Sequence, residues 1–199
     1  MSAIKICGVN DAAFAAEAER LGADYLGFIF AEGSLRRVDA ATVGRIRAGL
    51  RGTAKAVGVF TTTPVADVLA TARTLALDVV QLHRRATAEE VASVRAAGFE
   101  VWTLAGGAEG DGVLFDSSHG DGETAFRRGS YKAILAGGIS ESNLAQALAL
   151  QPDVIDVSGS LETSPGVKSI ECLRAFAREF NAEHGDKRKE TRRSLGISK

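Results

Sequence analysis

The feature that most constrains the fold of this 199-residue chain is a repeated alternation of short apolar runs with longer amphipathic segments. The runs are rich in Val, Ile, Leu and Phe, with little polar alternation. Strands that are buried on both faces have this composition, which is typical of parallel sheets covered by helices. The eight runs end near Cys7, Phe30, Phe60, His83, Leu104, Asp116, Ala136 and Val157.

The segments between the runs predict helices. Their apolar residues recur three and four positions apart with charges between them, as in a helix that rests one face on a sheet. These segments are 11–21, 39–50, 65–75, 87–97, 140–150 and 168–180. Between the fifth and sixth runs there is only the Gly-rich segment 105–111, where we expect a loop. The pattern predicts a single-domain α/β protein, a (β/α)8 TIM barrel, in fewer than the ~250 residues usual for that fold.

Composition limits the possible partners and the compartment. The formal net charge is -1 and the pI is about 6.3, so we expect no general attraction to nucleic acid or to an anionic membrane. No apolar stretch approaches the roughly 20 residues of a membrane span, and the first residues lack a signal-peptide pattern. These features predict a cytoplasmic protein. We expect the barrel to occupy residues 1–180 and the polar segment 181–199, which has mixed charges, to be a disordered tail.

Two reactive side chains are predicted to face the mouth of this barrel. Cys7 ends the first run and Asp116 ends the sixth. Because the carboxyl ends of parallel strands meet at one face of a barrel, a thiol and a carboxylate stand where a general base and a general acid are needed. Arg36 and Arg37 follow the second run, and either could bind a carboxylate through paired hydrogen bonds or be simply solvated.

Small residues follow the last two runs. Gly137 and Gly138 come directly after the seventh run, and Asp156 and Ser158 lie at the end of the eighth. Backbone N–H groups in such turns bind phosphate, and the loops after the last two strands are the usual phosphate site of this fold. A glycine pair alone is more often a simple turn, so the second turn one unit later is what favours phosphate.

His83 closes the fourth run at the same predicted mouth. It could act there as an acid, a base or a hydrogen-bond donor, although a single histidine is more often structural. No second histidine or carboxylate lies at metal-ligand spacing from it, so we expect no metal site.

Several short motifs follow one another along the chain in a specific order. They are Lys5-Ile6-Cys7-Gly8, Ser34-Leu35-Arg36-Arg37-Val38, Gly58-Val59-Phe60, Gln81-Leu82-His83, Leu114-Phe115-Asp116, Leu135-Ala136-Gly137-Gly138 with Asn143, and Asp156-Val157-Ser158 through Glu162, Pro165-Gly166 and Lys168. Each motif is modest alone, but the ordered set, from Ile4 to about Phe180, resembles the phosphoribosylanthranilate isomerase family.

The resemblance implies an Amadori rearrangement in tryptophan biosynthesis, which converts N-(5-phosphoribosyl)anthranilate into an aminoketose phosphate without a cofactor or a metal. It implies that Cys7 is the base, that Asp116 is the acid, and that Arg36 binds the anthranilate carboxylate. The expected partner is therefore a small-molecule substrate, with no nucleic acid or membrane, bound by a monomer or homodimer. The other expected substrate-binding residues are His83, Gly137, Gly138, Asp156 and Ser158.

The chain departs from the family pattern at four places. Leu35 stands where the family usually has Pro, Arg84 stands where it usually has Gly, and the segments 118–123 and 158–162 have altered loop sequences. These departures spare the two expected catalytic residues, so they bear on substrate fit and turnover.

Two alternative functions remain at this point. One is a sugar-phosphate isomerase of histidine biosynthesis, or an enzyme that accepts both substrates; the histidine-pathway family has an aspartate where this chain has Cys7. The other is a barrel that binds a phosphate ligand without turnover, which the presence of both Cys7 and Asp116 disfavours.

Overall fold

A computed structural model describes residues 1–117 and 125–194, with side chains as far as residue 183. Within these residues eight parallel strands close into a barrel in chain order, and β8 pairs with β1. The strands are β1 Ala3–Cys7, β2 Tyr25–Ile29, β3 Lys55–Phe60, β4 Val79–Leu82, β5 Glu100–Leu104, β6 Gly112–Asp116, β7 Lys132–Ala136 and β8 Val154–Val157. The predicted (β/α)8 TIM barrel is confirmed, and each strand ends at its predicted residue or one residue earlier.

Helices cover the outside of the barrel. They are α1 Ala12–Arg20, α2 Ala40–Ala48, α3 Val65–Thr74, α4 Ala88–Ala96, α5 Leu144–Ala149 and α6 Ile170–Ser194. The connection from β5 to β6 contains no helix, as its glycine content predicts. Among the described helices, none combines the length and apolar character that crossing a membrane requires.

The last part of the described chain differs in two details from what the sequence periodicity predicts. A short antiparallel hairpin, β9 Glu162–Ser164 and β10 Val167–Lys168, precedes the last helix. That helix extends to Ser194, beyond the apolar pattern that ends at residue 180. The division into a barrel of residues 1–180 and a tail of residues 181–199 stays a prediction.

Side-chain caps set the starts of the outer helices. The Asp11 carboxylate accepts a hydrogen bond from the Phe14 N–H, which fixes the first turn of α1. At α4, Thr87 and Glu90 form a reciprocal capping box in which each side chain accepts from the other residue's backbone N–H. Each cap satisfies donors that a helix start leaves without a partner.

The amino-terminal face of the barrel contains a fourfold repeat. An aspartate stands directly before each even-numbered strand, and its carboxylate accepts the backbone N–H of a residue in the preceding odd-numbered strand at 2.8–2.9 Å. The pairs are Asp24 with Ile4, Asp78 with Ala56, Asp111 with Val101, and Asp153 with Ala133. These contacts tie the strands together in pairs at the face opposite the mouth, where this fold concentrates stabilising contacts.

The barrel interior is apolar at its centre. Trp102 is fully buried there and packs edge-on against Tyr25, with ring centroids 4.8 Å apart. Lys5 is also fully buried in the interior, and it pairs with Asp156 of the adjacent strand β8. Charged side chains are seldom fully buried, and this ion pair lies directly below the mouth of the barrel.

Candidate active site

The mouth of the barrel holds a cavity of about 560 Å³. Every residue that the sequence analysis placed in the site lines it. They are Cys7, Arg36, His83, Asp116, Gly137, Gly138, Asp156 and Ser158. The fold therefore brings six separate loops and strand ends together around one space large enough for a small-molecule ligand.

Cys7 lies at the carboxyl end of β1, where its side chain is 8% exposed. Two residues earlier on the same strand, Lys5 points to the same side, as the alternation of a strand requires. The Lys5 Nζ donates to Oδ2 of Asp156 at 2.6 Å, while the other oxygen, Oδ1, is buried without a hydrogen-bond partner. That oxygen is buried, although Asp156 itself is among the residues that line the cavity.

Burial and neighbouring charges have opposite effects on the pKa values of Cys7, Asp156 and Lys5. Burial raises the pKa of the Cys7 thiol, and the ammonium of Lys5 opposes this effect only in part, so the pKa stays above its usual value. Burial also raises the pKa of Asp156, again opposed by Lys5. Burial lowers the pKa of Lys5. The neighbouring Asp156 and Cys7 raise it by more, so the pKa of Lys5 lies above its usual value. The 2.6 Å contact and the raised pKa of Lys5 together describe an ammonium that keeps its proton.

Asp116 lies at the end of β6, separated from Cys7 by β7 and β8 in the barrel wall. The His83 Nε2 lies 3.7 Å from the Asp116 Oδ2. On the other side of the imidazole, Nε2 of Gln81 lies 3.0 Å from Nδ1 of His83. With the Gln81 amide in this orientation, Nδ1 is the acceptor, which assigns the imidazole proton to Nε2 on the side of the carboxyl group.

Arg36 reaches the cavity from the loop after β2. Its Nε and Nη2 donate to the two carboxylate oxygens of Glu162 at 2.7 Å each, and Lys168 adds a contact of 2.9 Å to Glu162 Oε1. Gly8 has a φ of +73°, and a Cβ there would lie 2.8 Å from Arg36 Cδ. The glycine therefore allows the arginine to cross the end of β1. Arg37, by contrast, is exposed.

Side-chain hydrogen bonds to its carbonyl groups fix the turn after β7. The Ser117 hydroxyl donates to the Gly137 carbonyl at 3.0 Å, and the Asn143 amide donates to the Gly138 carbonyl at 2.9 Å. The Ser160 hydroxyl donates to the Ile139 carbonyl at 2.6 Å. These three bonds fix the turn and tie it to the loop after β8. Gly137 and Gly138 have φ values of +89° and +64°, which favour glycine at both positions.

Ser158 connects the loop after β8 with Cys7. Its hydroxyl donates to the Cys7 carbonyl at 3.1 Å, and the Lys168 ammonium donates to the Ser158 carbonyl at 3.0 Å. The hairpin β9–β10, which supplies both Glu162 and Lys168, thus braces the ends of β1 and β8. Burial lowers the pKa of Lys168, and Glu162 opposes that effect.

Three of the four departures from the family pattern fall on described residues, and they lie around the mouth. Leu35 is 72% exposed beside Arg36. Arg84 donates to the Thr61 and Thr63 carbonyls and pairs with Glu90 at 2.8 Å, so it joins the loop after β3 to the start of α4. In segment 158–162 a 3-10 turn, Gly159–Leu161, leads into Glu162. The segment 118–123 lies outside the described residues.

Four residues that matter to the site appear in the sequence analysis only within the motifs, without an individual role. Lys5, Gln81, Glu162 and Lys168 each contact a predicted site residue. A signal existed for two of them: Lys5 and Gln81 each precede a predicted residue by two positions in a strand, so they share its face. In the described part of the chain, no three His, Cys, Asp or Glu side chains are grouped as metal ligands.

Known proteins match the chain along almost its whole length. The model of the family described as N-(5'phosphoribosyl)anthranilate (PRA) isomerase matches residues 4–179. The N-(5'-phosphoribosyl)anthranilate isomerase of Rubrobacter xylanophilus is 36% identical over 200 residues, covering 88% of this chain and 97% of the relative. The crystal structure of the Thermus thermophilus phosphoribosyl anthranilate isomerase is 32% identical, with a TM-score of 0.79 over 90% of this chain and 98% of that one.

A further solved structure carries a ligand. It is a phosphoribosyl anthranilate isomerase in complex with reduced 1-(o-carboxyphenylamino)-1-deoxyribulose 5-phosphate, 26% identical to this chain, with a TM-score of 0.77 over 90% of this chain and 98% of that one. The family model covers most of the chain, and the Rubrobacter relative is matched over nearly its full length. The chain therefore belongs to the N-(5'-phosphoribosyl)anthranilate isomerase family and is an isomerase of tryptophan biosynthesis.

Proposed function

We propose that the cavity at the barrel mouth binds N-(5-phosphoribosyl)anthranilate and rearranges it with Cys7 as the general base and Asp116 as the general acid. The observation that carries this proposal is that a thiol, a carboxyl group, an arginine and two phosphate-type turns line one space of about 560 Å³. Those groups match the chemical parts of the substrate, which has a carboxylate, a reacting sugar and a phosphate.

The phosphate is assigned to the turns after β7 and β8. The carbonyls of Gly137 and Gly138 are bonded to Ser117 and Asn143 on the protein side. In a trans peptide the C=O and the N–H point in opposite directions, so the N–H groups of Gly138 and Ile139 are directed away from those side chains. Both turns line the cavity, and such N–H groups bind phosphate oxygens.

The anthranilate carboxylate is assigned to Arg36. A guanidinium has five N–H donors, and Glu162 occupies two of them along one edge. The other edge retains donors in the planar arrangement that suits a carboxylate. Glu162 thus fixes the plane of the guanidinium in advance, which lowers the ordering cost of binding.

The proposed reaction begins with ring opening. The protonated Asp116 donates its proton to the furanose ring oxygen, the bond from C1 to that oxygen breaks, and the nitrogen lone pair forms the C1=N bond of a Schiff base. The Cys7 thiolate then removes the proton from C2. The C–H electrons form C1=C2, the C=N electrons return to nitrogen, and an enolamine results. Protonation at C1 and loss of the C2 hydroxyl proton give the ketone.

The remaining site residues have supporting roles in this proposal. The His83 Nε2, 3.7 Å from Asp116, is placed to donate to the carboxylate once its proton has been given up. Asp156 lines the cavity, and we keep it as a proposed substrate-binding residue. We place the enzyme in the cytoplasm, as a monomer or homodimer, and sedimentation analysis would decide its oligomeric state.

The activity itself is tested by generating phosphoribosylanthranilate in situ and following its fluorescence. We expect the signal to disappear only when the protein is present. A parallel reaction with the aminoaldose phosphate of histidine biosynthesis tests the dual-substrate alternative. Loss of neither substrate would overturn the proposed function, and turnover of the histidine-pathway substrate alone would replace it.

A further inference from the structure

The Cys7 thiol shares its surroundings with the ammonium of Lys5. Strand β2 passes both side chains at Gly27, which pairs in register with Cys7. A Cβ on Gly27 would lie 3.1 Å from Cys7 Sγ and 3.2 Å from Lys5 Cε. The absence of a side chain at this position therefore leaves the room in which the thiol and the lysine lie side by side.

This arrangement answers a difficulty in the proposed role of Cys7. A base must be a thiolate when the substrate binds, but burial favours the neutral thiol. Cys7 is 8% exposed, so water alone provides little stabilisation for the anion. A positive charge next to the sulfur offsets part of the lost hydration, while the pKa of Cys7 in the free enzyme stays above its usual value.

We propose that Lys5 is a positioning residue of this enzyme, which stabilises the Cys7 thiolate, and that Asp156 holds the Lys5 ammonium in place for that task. The inference rests on the proposed role of Cys7 as the base. Lys5 is fully buried and does not line the described cavity, so it acts through Cys7 and not by touching the substrate.

Several charged groups act on Cys7 from different elements. Lys5 lies on the same strand, Asp156 on β8, Lys168 on β10 and Arg36 on the loop after β2. The three cations favour the thiolate, while Asp156 disfavours it. Asp156 therefore has two opposed effects: its contact keeps Lys5 charged and oriented, and its own charge raises the pKa of the neighbouring thiol.

Removing the charge of one or the other member of the ion pair should therefore shift the pKa of Cys7 in opposite directions. Replacing Lys5 with Met removes the stabilising charge, so the pKa of Cys7 should rise by about 1 to 3 pH units. Replacing Asp156 with Asn removes a negative charge and leaves Lys5 to pair with the sulfur, so the pKa of Cys7 should fall. A merely structural role predicts no such opposition, because both changes break the same ion pair.

The test measures the thiolate directly, without substrate. Cys172 is the second cysteine, on α6, and like Cys7 it is a free thiol. In a Cys172→Ser background, the ultraviolet absorbance of the thiolate and the rate of alkylation by iodoacetamide report on Cys7 alone as the pH is raised. The Cys7→Ser, Cys172→Ser double variant supplies the blank.

We expect the titration of Cys7 to move up in Lys5→Met, to move down in Asp156→Asn, and to stay near that of the parent in Lys5→Arg. Unchanged titrations, or shifts of Lys5→Met and Asp156→Asn in the same direction, would overturn the inference. If Lys5→Met does not fold, Lys5→Gln takes its place, because it also removes the charge but keeps a polar side chain; an unchanged or lower titration of Cys7 in that variant would overturn the inference. A failure here leaves the proposed function intact, since that function is tested separately by substrate consumption with the wild type and with Cys7→Ser.

Discussion

Arg36 and Glu162, 126 residues apart in the chain, form a two-point ion pair with both N–O distances at 2.7 Å. The pair joins the loop after β2 to the hairpin that follows β8. One edge of the guanidinium is thereby fixed, in a residue that lines the cavity. In the proposed complex, the substrate carboxylate meets a cation whose orientation is already set.

Replacing Arg36 with Met keeps much of the side-chain stem but removes the charge. We expect substrate affinity to weaken by about 2 to 5 kcal/mol, the range for deleting one partner of a charge pair. The matched control is Arg37→Met, because Arg37 is exposed next to it. Steady-state kinetics should show the loss mainly in KM. Equal effects from both variants would remove Arg36 from the carboxylate site.

The pairing also predicts a dependence of stability on pH. Burial alone would raise the pKa of Glu162, but hydrogen bonds from Arg36, Lys168 and the Gly166 N–H lower it from 4.5 to about 2. Its stabilisation of the folded state is therefore complete above about pH 4.5 and is lost as the pH falls through about 2.

Urea unfolding of the wild type and of Glu162→Gln checks this sign. The difference in their free energies of unfolding should be constant above about pH 5 and should shrink as the pH decreases towards 2. The exposed Glu141→Gln serves as the control. A difference that grows on acidification would contradict the assignment.

Gly138→Val tests the phosphate turn. The position has a φ of +64°, and no atom lies within 4 Å of a Cβ built there, so the new side chain would project into open space where the anion is expected. Gly22→Val is a matched control, since Gly22 also has a positive φ and open surroundings but lies away from the mouth. Calorimetry with inorganic phosphate should show binding weakened about tenfold or more, ~1.4 kcal/mol, in Gly138→Val only.

Asp116→Asn tests the acid. The amide keeps the size and hydrogen bonding of the carboxyl group but cannot deliver its proton, so kcat should fall by about 10² to 10⁴. Substrate affinity should change much less. The exposed Asp67→Asn provides the control for loss of one carboxylate. A kcat near that of the wild type would exclude Asp116 as the general acid.

The parts of this site that could be predicted from the sequence are those with local signals. Cys7 and Asp116 end runs of buried apolar residues, and the barrel topology then places both at one mouth. The glycine pair after β7 is likewise visible locally, because a positive φ at that turn favours glycine.

The strand alternation shows that Lys5 shares a face with Cys7, but the roles of the supporting residues depend on partners that are distant in sequence. A lysine in a strand usually points to solvent, and only the register of β1 with β8 shows that Lys5 faces Asp156, 151 residues later. Glu162 and Lys168 belong to a hairpin of three and two residues, which is too short to have a periodic pattern.

Turnover of Cys7→Ser compared with Cys172→Ser tests the central claim most directly. Both variants exchange one free thiol for a hydroxyl, but only Cys7 lines the cavity, since Cys172 lies on the last helix. With phosphoribosylanthranilate generated in situ, we expect Cys172→Ser to consume the substrate at the wild-type rate and Cys7→Ser to bind it with almost no turnover, because a serine hydroxyl does not form the anion that removes the C2 proton. Substantial turnover by Cys7→Ser would contradict the account.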